Sequence, residues 1–386
     1  MKGKTKTLTR LHTYLHKKGV SLSAKTYFVD AMGAMALGLF ASLLIGTIFG
    51  TLATHTKLEL FATIETYAKA ATGMAIGVAI AHKLAAPPLV IYSSAAVGAM
   101  ANAMGAIIKD GAIISWASTG ASAELGGVFY YSGPAGAFLA VLFACEIGKL
   151  VSKTTRIDIL VTPVVTLLVG FLASFAFTPI VAYVMYYLGV FIAIATTYLP
   201  AIMGIFVSVV MGMVLTLPIS SAAICAMIFS ESALDAAVLS GTDEGLLLAG
   251  GAALAGCCAQ MVGFAVASFR ENKWGGVVAQ GIGTSMLQMG NIMKKPIIWL
   301  PATLASAITG PVSTCLFKLK CGVSAGMGTC GFVGPIEVFS FMGFTSTSII
   351  GVLTVCIILP AILSLAFAEI MRKLGWIEYG DLKLDL

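Results

Sequence analysis

Two acidic side chains stand in unusually glycine-rich and weakly charged stretches of this chain. Glu337 lies near the end of CGVSAGMGTCGFVGPIEVF, residues 321–339, between two long apolar runs. Glu124 lies in SWASTGASAELGGVFYYSGPAG, residues 115–136. A carboxylate can accept hydrogen bonds from two neighbouring hydroxyls, as on a sugar or polyol, or it can carry a proton. Both acids are candidate solute-binding or proton-carrying groups, and an interfacial or structurally paired acid is the alternative.

The composition places these acids in a membrane protein. Of 386 residues, 59% are hydrophobic and 10% are charged, whereas soluble domains carry about 25% charged residues. Repeated apolar runs of about 20 residues indicate transmembrane helices. We therefore predict an all-α polytopic membrane protein with about ten transmembrane helices in two related halves. A carboxylate inside the membrane is costly and usually marks a pathway or a site.

The apolar runs divide the chain into five parts. A basic, partly amphipathic segment at 1–28 carries much of the net charge of +6 and is predicted to be cytoplasmic. A first transmembrane repeat is predicted at 29–151, central helices at 159–230, a second repeat at 246–371 and a charged tail at 372–386. Within the second repeat, continuous spans are predicted at about 246–269, 275–293, 296–317 and 339–371. A cleavable signal peptide is not expected, because the first apolar run is too long for one.

The two halves resemble each other more in the order of their segments than in residue identity. A shift of 208 positions aligns 68–93 with 276–301 without a gap and places Pro88 on Pro296. In each half a proline-initiated span precedes a polar, glycine-rich segment. Paired segments of this kind are typical of transporter substrate sites.

Two re-entrant hairpins are predicted, near 115–136 and near 321–337. Irregular backbone survives at membrane depth only where protein covers it or where it lines a wet cavity. A loop in water would tolerate more charged residues than these segments contain, although a surface loop stays the alternative.

Other polar side chains in the spans are candidate solute ligands. Gln288 and Asn291 follow Gln280 by eight and eleven residues and so share one helical face. Asn102 lies in the third predicted span, which starts at Pro88 and continues to about Ile108, and His82 ends the second. Hydrogen bonding between helices is the alternative for the amides, and an interfacial position is the alternative for His82.

Several function classes lack their motifs in this sequence. There is no nucleotide-binding GxxxxGK[ST], no HExxH and no GxSxG. The eight cysteines form no CxxC pair, so neither a metal site nor a cofactor is expected. The basic N-terminal segment is too short for a nucleic-acid-binding domain. Transport or sensing, and not enzyme catalysis, is the expected class.

With its two halves, its glycine-rich segments and GFVGPIE at 331–337, the chain resembles the IIC membrane components of the phosphoenolpyruvate-dependent sugar phosphotransferase system. It is similar in particular to a bacterial IIC-like group that includes the perfringolysin regulatory protein and is linked to toxin regulation. The resemblance implies a multi-pass protein of the bacterial cytoplasmic membrane, with a dimerising scaffold and a moving part that holds the substrate. Any phosphoryl donor, IIA or IIB, would be a separate protein.

The motif match gives Glu337 the substrate-binding role. In this sequence a proline precedes the glutamate by two residues, whereas in the family pattern it follows. The other candidate contacts at this hairpin are Gly328, Thr329, Gly331, Gly334 and Pro335.

Three functions fit these observations. The leading hypothesis is a carrier that binds a small polar solute, a sugar or a sugar derivative, and translocates it by alternating access. The second is a membrane sensor or regulator that keeps the fold and transports nothing. The third is a proton- or ion-coupled carrier of an organic acid, with Glu124 and Glu337 as the proton groups.

Overall fold

A computed structural model describes residues 18–20, 23, 25–109, 112–117, 128–217 and 221–384. The chain forms two compact units, one from residues 1–46 and 66–185 and the other from 47–65 and 186–386. Most of the described residues are helical, which confirms the all-α prediction. We describe each unit in turn.

Six helical runs in the described part of the chain are long and apolar enough to cross a membrane. They are Lys25–Gly50, Gly133–Val151, Asp158–Tyr198, Asp243–Ala267, Pro296–Phe317 and Ser346–Lys373. Shorter apolar helices are Pro88–Ala103, Pro200–Thr216 and Cys330–Met342. A polytopic membrane protein is confirmed, while the count of about ten spans stays a prediction.

The α-helices are labelled in chain order. They are α1 (Met32–Leu39), α2 (Ile45–Thr56), α3 (Glu59–Ala70), α4 (Thr72–Lys83), α5 (Pro88–Ala103), α6 (Gly133–Val151), α7 (Asp158–Tyr198), α8 (Pro200–Thr216), α9 (Ser221–Ile228), α10 (Glu231–Ser240), α11 (Asp243–Ala267), α12 (Phe269–Val278), α13 (Met289–Lys294), α14 (Leu300–Pro311), α15 (Val333–Met342), α16 (Ser346–Val352) and α17 (Leu359–Lys373). π-Helical turns occupy Lys25–Ala31, Phe40–Leu44, Ala279–Gly283, Val312–Phe317 and Leu353–Ile358, and 3₁₀ turns occupy Ser285–Gln288, Pro296–Trp299, Val323–Met327 and Cys330–Phe332.

In the first unit, close backbone contact joins α4 and α5. A Cβ added at Gly77 would lie 2.0 Å from the Ser94 carbonyl oxygen, and one at Gly98 would lie 2.2 Å from the Gly73 carbonyl oxygen. Only glycine allows the two helices to approach so closely, as is common in membrane helix pairs.

Helix α5 ends earlier than predicted, because the chain turns into a strand instead of continuing to about Ile108. Met104 is extended, and the Ser132 hydroxyl donates to the carbonyls of Ala101 and Met104 at 2.8 and 2.9 Å. These bonds satisfy acceptors that a helix end leaves open. The strand that follows is β1 (Gly105–Lys109).

Strand β1 is the centre of a small antiparallel sheet. It pairs on one side with β2 (Ala112–Ala117) and on the other with β3 (Val128–Tyr131). These strands frame the segment for which the first re-entrant hairpin is predicted. Residues 118–127 lie outside the described residues, so that hairpin stays a prediction.

A buried lysine in the first unit has a full set of hydrogen-bond partners. Lys149, in the last turn of α6, is 2% exposed and pairs with Glu146 at 3.1 Å. Its ammonium also donates to the carbonyls of Gly19 and Leu84 at 2.8 and 3.1 Å. The charge is thus fully hydrogen-bonded, as a buried charge must be.

In the second unit, α11 packs against α8 and α14 through small residues. A Cβ at Gly256 would lie 1.8 Å from the Ser208 carbonyl oxygen. The Ser208 hydroxyl donates to the Ser306 carbonyl at 2.7 Å, and the Ser306 hydroxyl donates to the Gly256 carbonyl at 3.3 Å. Serine and glycine therefore hold three apolar helices together.

Two spans that were predicted to be continuous are broken in the second unit. The span at 275–293 is interrupted at Thr284, which is extended and whose hydroxyl accepts from the Met286 amide at 3.2 Å. The span at 339–371 is interrupted at Gly343, whose φ is +69°, before a capping box between Thr345 and Ser348 starts α16. The prediction of continuous helices there is wrong.

Candidate functional site

The second glycine-rich segment folds as two 3₁₀ turns that lead into α15. Gly328 and Gly331 adopt positive φ values of +56° and +55°, and Phe332 follows at +58°. Residues 321–329 are all buried. Irregular backbone that protein covers is what the membrane interior permits. We call residues 321–337 the second hairpin below, while their re-entry into a membrane stays a prediction.

The Glu337 side chain binds the residues at the start of the second hairpin. The side chain is 3% exposed, and its Oε2 accepts from the Cys321 thiol at 3.1 Å and from the amides of Gly322 and Ser324 at 3.1 and 2.9 Å. Helical side chains lean toward the N-terminus of their helix. Glu337, one turn into α15, therefore reaches back to the turn that precedes the helix.

The position of Pro335, two residues before Glu337, fits this arrangement. Gly334 and Pro335 lie in the first turn of α15, where a missing backbone donor costs nothing. A Cβ at Gly334 would lie 2.9 Å from the Gly328 carbonyl oxygen. Glycine and proline at these positions therefore let the helix begin directly against the hairpin.

Two features beside Glu337 leave polar atoms for a ligand. The Ser324 hydroxyl is fully buried next to the Glu337 carboxylate, with which it interacts, and it has no other hydrogen-bond partner among the residues that the structure describes. The other carboxylate oxygen, Oε1, would lie 3.3 Å from a Cβ added at Gly322. Glycine at 322 thus keeps a side chain away from the carboxylate.

The tip of the second hairpin, residues 328–332, contacts the broken span at 275–293. The Thr329 hydroxyl donates to the Gly281 carbonyl at 2.6 Å. A Cβ at Gly328 would lie 2.9 Å from the Cys257 carbonyl carbon and 3.0 Å from the Met261 sulfur. Two irregular segments, 279–288 and 322–332, therefore meet against α11.

The predicted amide cluster binds the chain's own C-terminal tail. The Gln288 amide donates to Gln280 Oε1 and to the Leu382 carbonyl, both at 3.0 Å. The Asn291 amide donates to Gln288 Oε1 at 2.9 Å and to the Lys383 carbonyl at 2.8 Å. The three residues do come together, although the helix expected to align them is broken.

Further contacts hold the same tail. The Asn272 amide donates to the Leu382 carbonyl at 2.7 Å, and Lys295 pairs with Asp381 at 2.7 Å. Leu382 is 1% exposed. The charged tail is thus a packed part of the second unit.

Acidification is expected to release this tail. Partial burial alone would raise the pKa of the Asp381 carboxyl, but hydrogen bonds from Lys295 and the Glu378 amide outweigh burial and lower that pKa. A lowered folded-state pKa stabilises the protein above the ordinary aspartate pKa of about 3.9, and the benefit is lost as the pH falls through the lowered pKa. Amide exchange at 378–384 should stay slow from pH 7 to 5 and rise in more acidic solution.

The matched variant for this experiment is Asp381→Asn. It should show faster tail exchange already at pH 7 and no further acid step, once the intrinsic pH dependence of exchange is corrected. Equal pH profiles for the variant and the wild type would contradict the role given to the Lys295–Asp381 pair.

Three candidate residues belong to the first half of the chain. His82 is exposed at the end of α4, and Asn102 is half-buried on α5 with a buried Oδ1 that has no partner among the described residues. Both belong to the first unit. Glu124 lies outside the described residues.

One buried polar cluster was not predicted from the sequence. Gln260, near the middle of α11, is fully buried. Its Oε1 accepts from Trp299 Nε1 at 3.2 Å and from the Thr216 hydroxyl at 3.4 Å, and Thr216 also contacts the Ser285 hydroxyl at 3.0 Å. A glutamine inside the apolar stretch GCCAQMVGF was the signal that could have revealed it.

Apolar helices long enough to cross a membrane, covered irregular backbone and a buried carboxylate are features that membrane transport proteins use. In comparison with known families, the one described as Phosphotransferase system, EIIC matches residues 29–384. The chain therefore belongs to the EIIC family, whose members are membrane components of a transport system. No curated protein and no solved structure matches it significantly.

Proposed function

We propose that this EIIC family member is a carrier that binds a small polar solute, a sugar or a sugar derivative, at the second hairpin and translocates it by alternating access. The observation that carries the proposal is the buried Glu337 carboxylate with the buried Ser324 hydroxyl beside it on irregular backbone. A carboxylate and a hydroxyl can together bind neighbouring hydroxyls of a solute.

The groups that donate hydrogen bonds to Glu337 suggest how a solute would bind. Cys321, Gly322 and Ser324 supply three hydrogen bonds to one oxygen. A vicinal diol would replace some of these donors as the hairpin moves, so the carboxylate would exchange protein partners for solute partners. Loss of a hydrogen bond is then largely offset, because each buried group is paired in both arrangements.

The remaining candidates receive different support. Thr329, Gly328, Gly331, Gly334 and Pro335 shape the hairpin around Glu337. Gln288 and Asn291 already bind the tail, so we assign them no solute contact. His82, Asn102 and Glu124 stay candidates from the first half. A homodimer, separate IIA and IIB partners and a bacterial inner-membrane location are part of the proposal.

Equilibrium binding and flux test this function. Purified protein in nanodiscs is titrated with a panel of monosaccharides, disaccharides, sugar acids and polyols, and the same panel is offered to proteoliposomes. Saturable binding that protects the amides of 322–324 from exchange is expected. The proposal fails if no panel member binds saturably to the wild type and if Ser324→Ala gives the same binding and the same amide exchange as the wild type.

Flux separates carrier from regulator. Uptake of the bound solute into proteoliposomes supports carriage, and binding without uptake would favour the non-transporting sensor. Uptake driven by a pH gradient alone would favour the proton-coupled carrier.

A further inference from the structure

The C-terminal tail and the tip of the second hairpin are linked through a short series of contacts. The Leu382 carbonyl accepts from Gln288, and the same amide group donates to Gln280, both at 3.0 Å. The residue after Gln280 is Gly281, whose carbonyl accepts from Thr329 at the hairpin tip at 2.6 Å. Two side chains and one peptide therefore join the tail to the tip.

The segment between these ends has an irregular backbone. It passes from a π-helical turn at Ala279–Gly283 through an extended Thr284 to a 3₁₀ turn at Ser285–Gln288. A continuous α-helix would hold Gly281 through regular backbone bonds, whereas short π-helical and 3₁₀ turns have poorer hydrogen-bond geometry, so that side-chain contacts add to their stability. The fully buried Gln280 supplies such contacts, to the Ser268 hydroxyl at 2.9 Å and the Gly276 carbonyl at 3.1 Å.

We infer that Gln280 and Gln288 are positioning residues for the second hairpin and that the C-terminal tail holds them in place. The inference rests on the proposed function, because it assigns the amides to the site without solute contact. When the tail is docked, Gln288 orients Gln280, and the Gly281 carbonyl stays within reach of Thr329. When the tail is released, the tip loses this partner and becomes less ordered, and a less ordered site binds its solute more weakly.

Hydrogen–deuterium exchange tests the link without any solute. Full-length protein in nanodiscs is compared with Gln288→Glu, which keeps the acceptor for Asn291 and loses the donor to Gln280 and Leu382. We expect exchange to rise about five- to tenfold in 279–288 and also in 328–332, as loss of one buried hydrogen-bonded link implies. Exchange in 243–267 reports whether the unit stays folded.

Two matched variants sharpen this result. Asn291→Ala removes one contact to the tail, at the Lys383 carbonyl, and the bond to Gln288 Oε1, but it keeps the donor from Gln288 to Gln280. It should therefore raise exchange at 328–332 by less than Gln288→Glu does. Thr329→Val breaks the path at its other end and should raise exchange at the tip by itself. Gln288→Glu added to Thr329→Val should then add little, because coupled residues are not additive.

The outcomes decide the inference separately from the proposed function. If Gln288→Glu unfolds the unit, Asp381→Asn takes its place, because it weakens the tail at the partly exposed Lys295–Asp381 pair. This variant should raise exchange at 328–332 by a smaller factor. A tip that does not respond to Gln288→Glu or to Asp381→Asn would overturn the inference. A responsive tip in a protein that binds no solute would keep the inference and reject the proposed function.

Discussion

Glu337→Ala is expected to abolish solute binding and to destabilise the second unit. The substitution removes the acceptor of three hydrogen bonds and leaves the buried amides of Gly322 and Ser324 unpaired. Each unpaired buried group costs about 1–3 kcal/mol, so the two amides together predict a loss of about 2–6 kcal/mol. Thermal unfolding in detergent would show this as a lowered midpoint.

Glu337→Gln separates binding from stability. The amide oxygen can still accept from Gly322 and Ser324, but a neutral acceptor makes weaker hydrogen bonds than a carboxylate. We expect a loss of about 1 kcal/mol in stability, together with a loss of solute binding that is much larger than this structural cost. The matched control is Glu244→Gln, an exposed acid of the same unit that lies 3.8 Å from Lys320.

The contrary result is equally specific. If Glu337→Gln binds solute like the wild type while Glu337→Ala is destabilised, the carboxylate serves the fold alone. Substrate binding would then have to lie elsewhere, with the Gln260 cluster and the first-half candidates as the next residues to test.

The parts of the fold that were predicted correctly depend on local signals. Pro88 and Pro296 both open helical segments, as prolines in a first turn do. The span Pro296–Phe317 has the predicted bounds. The glycine-rich second segment is irregular, because glycine provides positive φ values that other residues avoid. Composition alone was enough for the membrane class.

The strands of the first unit could not be predicted in the same way. GAIIK at Gly105–Lys109 continues an apolar run, and such short runs do not distinguish a strand from a buried helix. What makes it a strand is pairing with β2 and β3, and β3 lies about 20 residues further along the chain. Pairing of this kind is not visible in periodicity.

The partner of the amide cluster was hidden for a similar reason. Spacing placed Gln280, Gln288 and Asn291 together, which the structure agrees with, but Gln288 bonds a carbonyl 94 residues away. A tail of 15 residues with several charges gave no sign that Leu382 would be buried. Local pattern identifies which side chains share a surface, whereas the fold decides what covers that surface.

Gly328→Ala is expected to disorder the hairpin tip and to weaken solute binding at least as strongly as Glu337→Gln. At φ +56° and ψ −133° the backbone is in a region that residues with a Cβ rarely adopt, which costs about 1–3 kcal/mol. A Cβ would also lie 2.9 Å from the Cys257 carbonyl carbon. Backbone cannot move aside as a side chain can, so crowding adds to the strain.

Gly343→Ala separates the cost of backbone strain from the cost of crowding. Gly343 has φ +69° and ψ 175°, but a Cβ there would have nothing within 4 Å. This control carries the strain without the crowding and lies beyond the far end of α15 from the tip. Gly328→Ala should therefore lower the unfolding midpoint more than Gly343→Ala and should alone raise amide exchange at 322–332. Equal effects of the two substitutions would mean that the close contact between Gly328 and α11 contributes nothing to the site, and the proposed hairpin geometry would be wrong.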